Sequence, residues 1–432
     1  MSARRVGRAG LAAGLALLAV AGCTTSGSGD NDRPRRVPSP AASSALPEGV
    51  RYEHSTQILA DGEPVRFHVL SIAPDAHVSL GATHGDRLQD TSTVRELARQ
   101  AGAVAAVNGT LFDIATGAHH SGYDGDPLGL YGDRGRLLSE SVGANPALVL
   151  DSFGRHPSIT EARSSIRVTS SDGAHSLVDG VDRVPGRILD CGGVGGDRPV
   201  TLPRHGTLCT DPDEIVDFRP EWGGYSPQAG DGSAEAVLDS RGRVTRLRTP
   251  AGGAIPRGGR TLVGIGKGAA WLRAHAARGR ELRVSSRVSD AQGDSLGGPE
   301  ASMVGGGPRL VRDGHVRVTA AANGFPPSAL RTRHPRTVAG IKEDGTLLLV
   351  VIDGRRPGRS VGATFTEAAR ILVGLGAKDA VNLDGGGSST MVVSGRVRNS
   401  PTDGPGSRPG ERRVSNAIVV IPTGAVADRD QL

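Results

Sequence analysis

The stretch Asp379-Ala-Val-Asn-Leu-Asp-Gly-Gly-Gly-Ser-Ser-Thr-Met-Val-Val393 decides how the rest of the chain is interpreted. Its apolar first half predicts a buried strand that ends on Asp384, and a second strand is expected to start near Ser389. Three consecutive glycines separate the two strands, and a backbone tolerates such a run where it turns sharply or approaches a ligand closely. Successive amides of such a turn can surround an anion. A glycine-rich hairpin turn without a ligand is the alternative.

Polar groups crowd this turn and make it a candidate binding site. The candidate residues are Asn382, Gly385, Gly386, Gly387, Ser388, Ser389 and Thr390.

A β-α-β pattern leads into the turn. The apolar run Leu347 to Ile352 predicts a strand followed by Asp353, and Thr364 caps a predicted helix from Phe365 to Leu375. The next strand is predicted at Ala380 to Leu383. If the crossover joins neighbouring parallel strands, Asp353 and Asp384 lie at the same edge of the sheet, where such sheets bind their ligands. We therefore predict an α+β fold of mixed β-sheets, with this C-terminal β-α-β unit and a β-rich central insertion at about residues 150–290.

Asn382-Leu-Asp-Gly-Gly-Gly-Ser-Ser-Thr390 closely resembles the signature of the phosphodiester glycosidase family. Further blocks resemble the family in family order and cover residues from about 300 to 420, with a weaker match near residue 110. These blocks are Gly305-Gly-Gly-Pro-Arg-Leu-Val-Arg-Asp-Gly314, His334-Pro-Arg-Thr-Val-Ala-Gly340, Val350-Val-Ile-Asp-Gly-Arg355, Val414-Ser-Asn416 and the weaker Val107-Asn-Gly-Thr-Leu-Phe112.

The resemblance implies a hydrolase that cleaves a sugar-1-phosphodiester at the anomeric carbon of the sugar. A phosphomonoester leaving group is a weak base, so the reaction mainly requires that its negative charge be stabilised. Arg336 and Arg355 are the predicted phosphate ligands, because a guanidinium group matches phosphate with two parallel hydrogen bonds. A solvated surface position is the alternative for each arginine.

A carboxylate must also attack the anomeric carbon or activate water. Asp384 is the first candidate for this catalytic role, followed by Asp353 and Glu367. Glu367 lies in the first turn of the predicted helix, where it can instead act only by stabilising the helix dipole. The sequence does not distinguish inversion from retention of configuration.

Asn108 is a further candidate ligand because its surroundings resemble those of Asn382. Glu96 to Asn108 and Glu367 to Asn382 share the order of helix, Gly-Ala, strand and asparagine. Either this similarity is a coincidence, or it places the two asparagines in related positions around one site.

The first 23 residues have the layout of an export signal, with Arg4, Arg5 and Arg8 followed by an apolar run. Leu17 to Cys23 resembles a bacterial lipoprotein box, which implies a lipid on Cys23 and a place on the outer face of the cell membrane. A signal peptide without lipid is the alternative. We predict a signal peptide at residues 1–22, a flexible tether at 23–49, one domain at 50–422 and a tail at 423–432.

Cys191 and Cys209 form an even pair in a chain with an export signal, so we predict a disulfide. Two free buried thiols are the alternative. A zinc site is disfavoured, because no Cys-x-x-Cys motif or histidine cluster lies nearby.

Charge and motifs disfavour several other functions. The formal net charge is +6 over 432 residues, and three of the positive charges lie in the signal segment. The remaining basic residues are dispersed without interleaved aromatic residues, so we expect no nucleic-acid partner.

No cofactor is required by the motifs, although a divalent cation beside the aspartates or at His119-His120 stays open. No Gly-x-Ser-x-Gly motif supports a serine hydrolase. We expect an enzyme acting on glycosyl phosphodiesters of envelope glycans, and the alternatives are a glycan-binding protein without activity and a metal-dependent phosphodiesterase.

Overall fold

The glycine-rich turn follows a strand of a seven-stranded sheet. A computed structural model describes residues 46–114, 123–151, 156–191, 205–403 and 408–423. The order of strands across this sheet is Val50–Ile58, Pro64–Ile72, Leu347–Ile352, Arg336–Lys342, Ala377–Asn382, Arg309–Arg312 and His315–Val316, and all neighbours are antiparallel.

Both faces of this sheet are covered, which explains the continuous apolar run at Leu347–Ile352. Successive side chains of a strand point to opposite faces. Leu349 and Val351 accordingly belong to one core cluster, whereas Val350 and Ile352 belong to another. The second cluster contains the apolar face of the helix Phe365–Gly374.

The helix Phe365–Gly374 begins and ends close to the predicted positions. Thr364 and Glu367 form a reciprocal capping box at its start, and Leu375 caps its end. Gly376 follows with a φ of +87°, a conformation that glycine adopts without strain. The helix packs across the sheet next to the strand that leads into the glycine turn.

A second sheet brings Asn108 to the same region. Its strands, in order, are Arg396–Val397, Met391–Val393, Ala105–Asn108, Asn416–Pro422 and Val78–His84. The helix Val94–Gln100 precedes the strand of Asn108, and Thr93 and Glu96 cap it with the same reciprocal hydrogen bonds as in the later helix.

The central part of the chain forms three further sheets and a third helix. The helix is Gly266–His275. The first sheet consists of Ser158–Glu161, Pro146–Leu150, Ser302–Gly305, Tyr131–Asp133 and Arg136–Ser139. The second consists of Gly180–Val181, Ile215–Phe218, Arg260–Gly264, Ala234–Leu238 and Val244–Arg248, and the third of His175–Leu177, Arg163–Ser170 and Leu282–Ser289.

Short ribbons and turns complete the fold. The two-stranded ribbons are Ile188–Leu189 with Leu208–Cys209, Thr402–Asp403 with Arg408–Pro409, Ser92–Thr93 with Arg413–Val414, and Leu111–Phe112 with Pro127–Leu128. The 3-10 helices are Pro327–Leu330 and Gly386–Ser388.

The central sheets share a core with the rest of the fold. Phe218, Trp222 and Val263 of the central part lie in the same cluster as Val304 and Val381. The described residues from 46 to 423 belong to one compact unit. The protein is thus a β-rich α+β fold of several sheets, and the predicted domain boundaries stay a prediction.

Cys191 and Cys209 form a disulfide, as predicted, with their Cα atoms 5.2 Å apart. The bridge lies at the ribbon of Ile188–Leu189 with Leu208–Cys209. Within the part of the chain that the structure describes, no helix has both the length and the apolar character needed to cross a bilayer. The signal peptide, Cys23, the tether up to residue 45, His119-His120 and the tail from residue 424 lie outside the described residues.

Candidate active site

One edge of the seven-stranded sheet brings the predicted acids and an arginine together. Contrary to the prediction, Leu347–Ile352 and Ala377–Asn382 are not neighbours, because Arg336–Lys342 lies between them and pairs antiparallel with both. The two outer strands therefore run in the same direction, about 10 Å apart at the usual strand spacing. Asp353 and Asp384 follow the ends of these strands, at the edge where Arg336 begins the middle strand.

Asp384 is buried, with 8% of its surface exposed. Burial raises the pKa of its carboxyl to about 6, while the Ser388 hydroxyl, the charge of Arg412 and the Gly385 amide oppose the rise. At neutral pH this side chain is therefore mostly ionised, yet it can still accept a proton during a reaction.

The backbone of Asp384 is fixed by the second sheet. The Asn108 side chain donates from Nδ2 to the Asp384 carbonyl at 2.7 Å, and the Asp384 amide donates to the Gly109 carbonyl at 3.0 Å. Asn108 Oδ1 accepts from the Thr337 hydroxyl at 2.7 Å and from the Thr390 amide at 3.1 Å. The two asparagine-bearing strands thus meet at one site, and the Asn108 side chain braces the turn.

The glycine turn forms a 3-10 helix at Gly386–Ser388. Gly386 has a φ of +61°, and a Cβ there would lie 3.2 Å from Arg355 Nη2. A Cβ on Gly387 would lie 2.6 Å from Arg412 Nη2. The positive φ favours glycine at position 386, whereas an added Cβ at position 387 would displace the ends of the Arg412 and Asp403 side chains.

The glycine turn leaves fewer amides free to bind an anion than the three successive amides of the predicted nest. The Gly386 amide donates to the Pro335 carbonyl at 2.9 Å, and the Ser388 and Ser389 amides close the 3-10 turn onto Gly385 and Gly386. The Gly385 amide bonds the carboxylate of Asp384. The reason is that the short helical turn uses the amides that an extended nest would leave free.

Arg336 is buried and stacks its guanidinium carbon 3.9 Å from the centre of the Phe365 ring. It donates from Nε to the Ala363 carbonyl at 2.9 Å and from Nη2 to the Thr332 carbonyl at 3.2 Å. Among the described residues, no carboxylate lies within ion-pair distance of it. Burial lowers its pKa to about 10, and the more distant charge of Glu367 only partly offsets this. A buried cation held by neutral groups favours the binding of an anion.

Arg355 and Arg412 add positive charge next to the glycine turn, at Gly386 and Gly387. Arg355 donates from Nη1 to the Thr402 carbonyl at 3.3 Å. Burial and the charge of Arg412 lower its pKa, against the opposing charge of Asp403. Arg412 pairs with Asp403, with Nε 2.7 Å from Oδ1. Sequence reasoning missed Arg412, although it lies two residues before the recognised Val414-Ser-Asn416 block.

Asp353 is buried and both of its carboxylate oxygens have partners. Oδ2 lies 3.3 Å from His68 Nε2, and Oδ1 accepts from the Asn399 side chain at 3.2 Å and the Ser400 amide at 2.8 Å. Burial alone would raise its pKa, but the hydrogen bonds from His68 and the Ser400 amide outweigh burial and lower it. This carboxylate is ionised and holds neighbouring segments together.

Glu367 acts in the helix cap. Its Oε2 accepts from the Thr364 amide at 2.8 Å, and its carboxylate pairs with Arg333. Partial burial raises its pKa, but the hydrogen bonds from Arg333 and Thr364 outweigh this and lower it. The structure thus shows Glu367 in the cap of the helix, and its catalytic role stays a prediction.

Several polar atoms at the turn are buried without a partner in the described structure. They are Asn382 Oδ1, Ser389 Oγ and Thr390 Oγ1. The other side of the Asn382 amide donates to the Gly307 carbonyl at 2.9 Å and the Leu383 carbonyl at 2.6 Å. Buried polar atoms usually have hydrogen-bond partners. These three atoms therefore mark a place where a bound molecule or a water supplies the partners.

Burial and the charges of Arg336 and Arg355, the two predicted phosphate ligands, lower the pKa of His334. Within the described ranges, no group of three or more His, Cys, Asp or Glu side chains is arranged to hold a metal ion. The site thus has a buried carboxylate, Asp384, which the charge of Arg412 faces, and the glycine turn beside it is contacted by Arg355 and by the backbone of Arg336. A carboxylate and cations at one turn are expected of a hydrolase for anionic esters.

Comparisons with known proteins agree with this class. The sequence model of the phosphodiester glycosidase family matches residues 233–421, which include Asp384, Asp353 and all three arginines. The chain therefore belongs to the phosphodiester glycosidase family.

A solved structure of a putative exported protein from Burkholderia pseudomallei K96243 is 33% identical with a TM-score of 0.72, over 84% of this chain and 74% of that one.

Two curated relatives match over short segments. The SPbeta prophage-derived protein YomE of Bacillus subtilis is 40% identical over 75 residues. The N-acetylglucosamine-1-phosphodiester alpha-N-acetylglucosaminidase of Bos taurus is 38% identical over 68 residues. The matched segments are 17% and 16% of this chain, and each spans only 12% of the length of the relative.

Proposed function

We propose that this protein hydrolyses glycosyl phosphodiesters by breaking the bond between the anomeric carbon and the phosphate oxygen. The observation that carries the proposal is Arg336, a buried guanidinium without a carboxylate partner among the described residues, at the sheet edge where Asp384 lies. The substrate phosphodiester supplies the missing negative charge. The bovine relative is named for an activity on a sugar-1-phosphodiester, which is the same class of substrate.

The arginines stabilise the leaving group. As the glycosidic bond breaks, a phosphomonoester leaves with increasing negative charge. Arg355 and Arg412 lie against Gly386 and Gly387 of the glycine turn, and the backbone of Arg336 lies near Gly385. Preorganised cations of this kind lower the barrier because they need no rearrangement when the charge develops.

Asp384 supplies the carboxylate that attacks the anomeric carbon or activates the attacking water. Its elevated pKa of about 6 suits proton transfer near neutral pH. In the water mechanism the water oxygen bonds to the anomeric carbon, the water proton passes to Asp384, and the electron pair of the broken bond leaves with the phosphate. Asp353 was also predicted to be catalytic, and its hydrogen bonds favour a positioning role in this proposal.

The proposed physiological substrates are phosphodiester-linked glycans of the cell envelope. The support for this location is the export signal, and Cys23 would anchor the protein to the outer face of the cell membrane. The similar protein from Burkholderia pseudomallei is also named as an exported protein.

A substrate panel tests the proposal. Purified protein is incubated with UDP-sugars and other sugar-1-phosphodiesters, and free sugar and phosphomonoester are quantified over time. We expect both products in equal amounts, and we expect Asp384→Asn to abolish their release while retaining ligand binding. Binding without turnover across the panel would instead identify a glycan-binding protein.

A further inference from the structure

A second asparagine, Asn399, holds the end of the glycine turn that leads into the next strand. Its Nδ2 donates to the Ser389 carbonyl at 2.8 Å, and its Oδ1 accepts from the Met391 amide at 2.9 Å. Asn108 holds the other end in the same way, with its side chain bonded to one backbone carbonyl and one backbone amide. Two asparagine side chains thus fix the backbone of the turn from both ends.

The side chains of Ser389 and Thr390 lie on the backbone that these asparagines hold. Both residues are buried, and neither hydroxyl has a hydrogen-bond partner in the described part of the chain. Asn399 holds the Ser389 carbonyl, and Asn108 holds the Thr390 amide. Because the backbone sets where a short side chain points, the direction of both hydroxyls depends on the two asparagines. Hydroxyls without protein partners are available to a bound ligand.

Asp353 determines which way the Asn399 amide faces. Asp353 Oδ1 accepts from Asn399 Nδ2 at 3.2 Å and from the Ser400 amide at 2.8 Å. An ionised carboxylate only accepts hydrogen bonds, so the nitrogen of the Asn399 amide must face it. The amide oxygen is then left to accept from the Met391 backbone. A flipped amide would place its oxygen against the carboxylate and could not hold the turn.

Two side chains from the first strands of the seven-stranded sheet fix Asp353 in turn. His68 is buried, with Nε2 3.3 Å from Asp353 Oδ2, and the Tyr52 hydroxyl lies 2.9 Å from His68 Nδ1. The Tyr52 and His68 rings are stacked, with centroids 6.2 Å apart. Because the carboxylate accepts, Nε2 carries a hydrogen in this bond in both the neutral and the charged ring. The Tyr52–Asn399 chain is our name for the hydrogen-bonded series Tyr52, His68, Asp353 and Asn399.

We propose that the Tyr52–Asn399 chain positions the Ser389 and Thr390 hydroxyls to donate to acceptor oxygens of a bound glycosyl phosphodiester. Its members touch the turn and not the substrate, so they are positioning residues. The inference rests on the function proposed above. Asn108, which lies outside the chain, holds the Asp384 carbonyl. Loss of the chain should therefore weaken substrate binding more than it slows the chemical step.

Removal of single groups from the two ends of the chain tests the inference. Tyr52→Phe removes the hydroxyl that bonds the histidine and keeps the ring, and Asn399→Ala removes the amide that holds the turn. The matched control is Tyr131→Phe, because the Tyr131 hydroxyl lies 3.0 Å from His84 Nδ1 in a similar pair outside the chain. Each variant is measured by steady-state kinetics with a UDP-sugar, by thermal denaturation and by hydrogen exchange of the backbone amides of residues 386–391.

We expect Tyr52→Phe to raise KM by about three- to tenfold, the effect of one lost hydrogen bond, with kcat within about threefold of wild type. Asn399→Ala should raise KM further, and the double variant should equal Asn399→Ala alone, because the chain is already broken at the turn. Hydrogen exchange at residues 386–391 should become faster in all three. Tyr131→Phe should lower thermal stability at least as much as Tyr52→Phe and leave both KM and this exchange unchanged.

An unchanged KM in Tyr52→Phe, or an unchanged exchange at the turn, would overturn the inference. So would an equal rise in KM in Tyr131→Phe, which would show a general effect of lost stability. A fall in kcat at constant KM would also contradict it, because the chain would then act on the chemical step. If exchange at the turn becomes faster in Tyr52→Phe but wild-type protein hydrolyses no phosphodiester, the action of the chain on the turn stands and the proposed function fails.

Discussion

Replacing Arg336 with methionine should strongly reduce activity while leaving the fold intact. Methionine has a similar length and can pack on Phe365, but it carries no charge. The lowering of the Arg336 pKa to about 10 by burial shows that the unliganded protein stabilises the charged side chain poorly. This lowering corresponds to roughly 3 kcal/mol of unfavourable free energy for the charged form.

The substitution also removes favourable contacts of the Arg336 guanidinium. Two hydrogen bonds to carbonyl groups contribute about 1 kcal/mol each, and the stacking on Phe365 contributes about 1 kcal/mol. The Ala363 carbonyl keeps one donor, the His334 amide at 3.2 Å. Gains and losses therefore nearly cancel, and we expect the free energy of unfolding to change by about 1 kcal/mol or less in either direction.

Arg336→Met should lose much more free energy of substrate binding than free energy of unfolding. A charge-assisted hydrogen-bonded contact with phosphate contributes roughly 3 kcal/mol, which corresponds to about a 100-fold loss in kcat/KM. Chemical denaturation and steady-state kinetics on one preparation measure the two effects. Arg370→Met on the exposed side of the helix Phe365–Gly374 is the control and should change neither.

Two results would refute this reasoning. If Arg336→Met retained kcat/KM within about threefold of wild type, Arg336 would not hold the phosphate. If the variant lost several kcal/mol of stability, its guanidinium would serve the fold, and the argument from its missing counter-charge would be wrong.

Further predictions concern the acids and the anchor. The kcat/KM of wild-type protein should rise with pH through about 6, because Asp384 must be ionised, and a profile that is flat from pH 5 to 8 would exclude this role. Glu367→Ala should lower thermal stability by about 1–2 kcal/mol through loss of the cap and the Arg333 pair, with kcat unchanged, and a large loss of kcat would instead make Glu367 catalytic. Cys23→Ala should release the protein from the membrane fraction, and unchanged retention in fractionated cells would reject the lipid anchor.

The sequence predicted the local parts of the site well. The strand Leu347–Ile352 has the predicted bounds because its apolar run is buried on both faces, a signal that is local in sequence. The helix after Thr364 was found from its cap and from the glycine after its end. Arg336 and Asp384 were recognised through motif blocks, and the sheet indeed places them at one edge.

The remaining features depend on contacts between distant parts of the chain. The middle position of Arg336–Lys342 follows from pairing with strands on both sides, which no sequence period encodes. The bracing role of Asn108 required knowing that its strand ends beside the Asp384 backbone.

The fate of the water oxygen tests the central claim most directly. Hydrolysis of a sugar-1-phosphodiester in ¹⁸O-labelled water, followed by mass spectrometry of both products, reports which bond is broken. If Asp384 directs attack at the anomeric carbon while the arginines hold the phosphate, the label enters the released sugar and is absent from the phosphomonoester. Label in the phosphomonoester would show cleavage at phosphorus and would contradict the account.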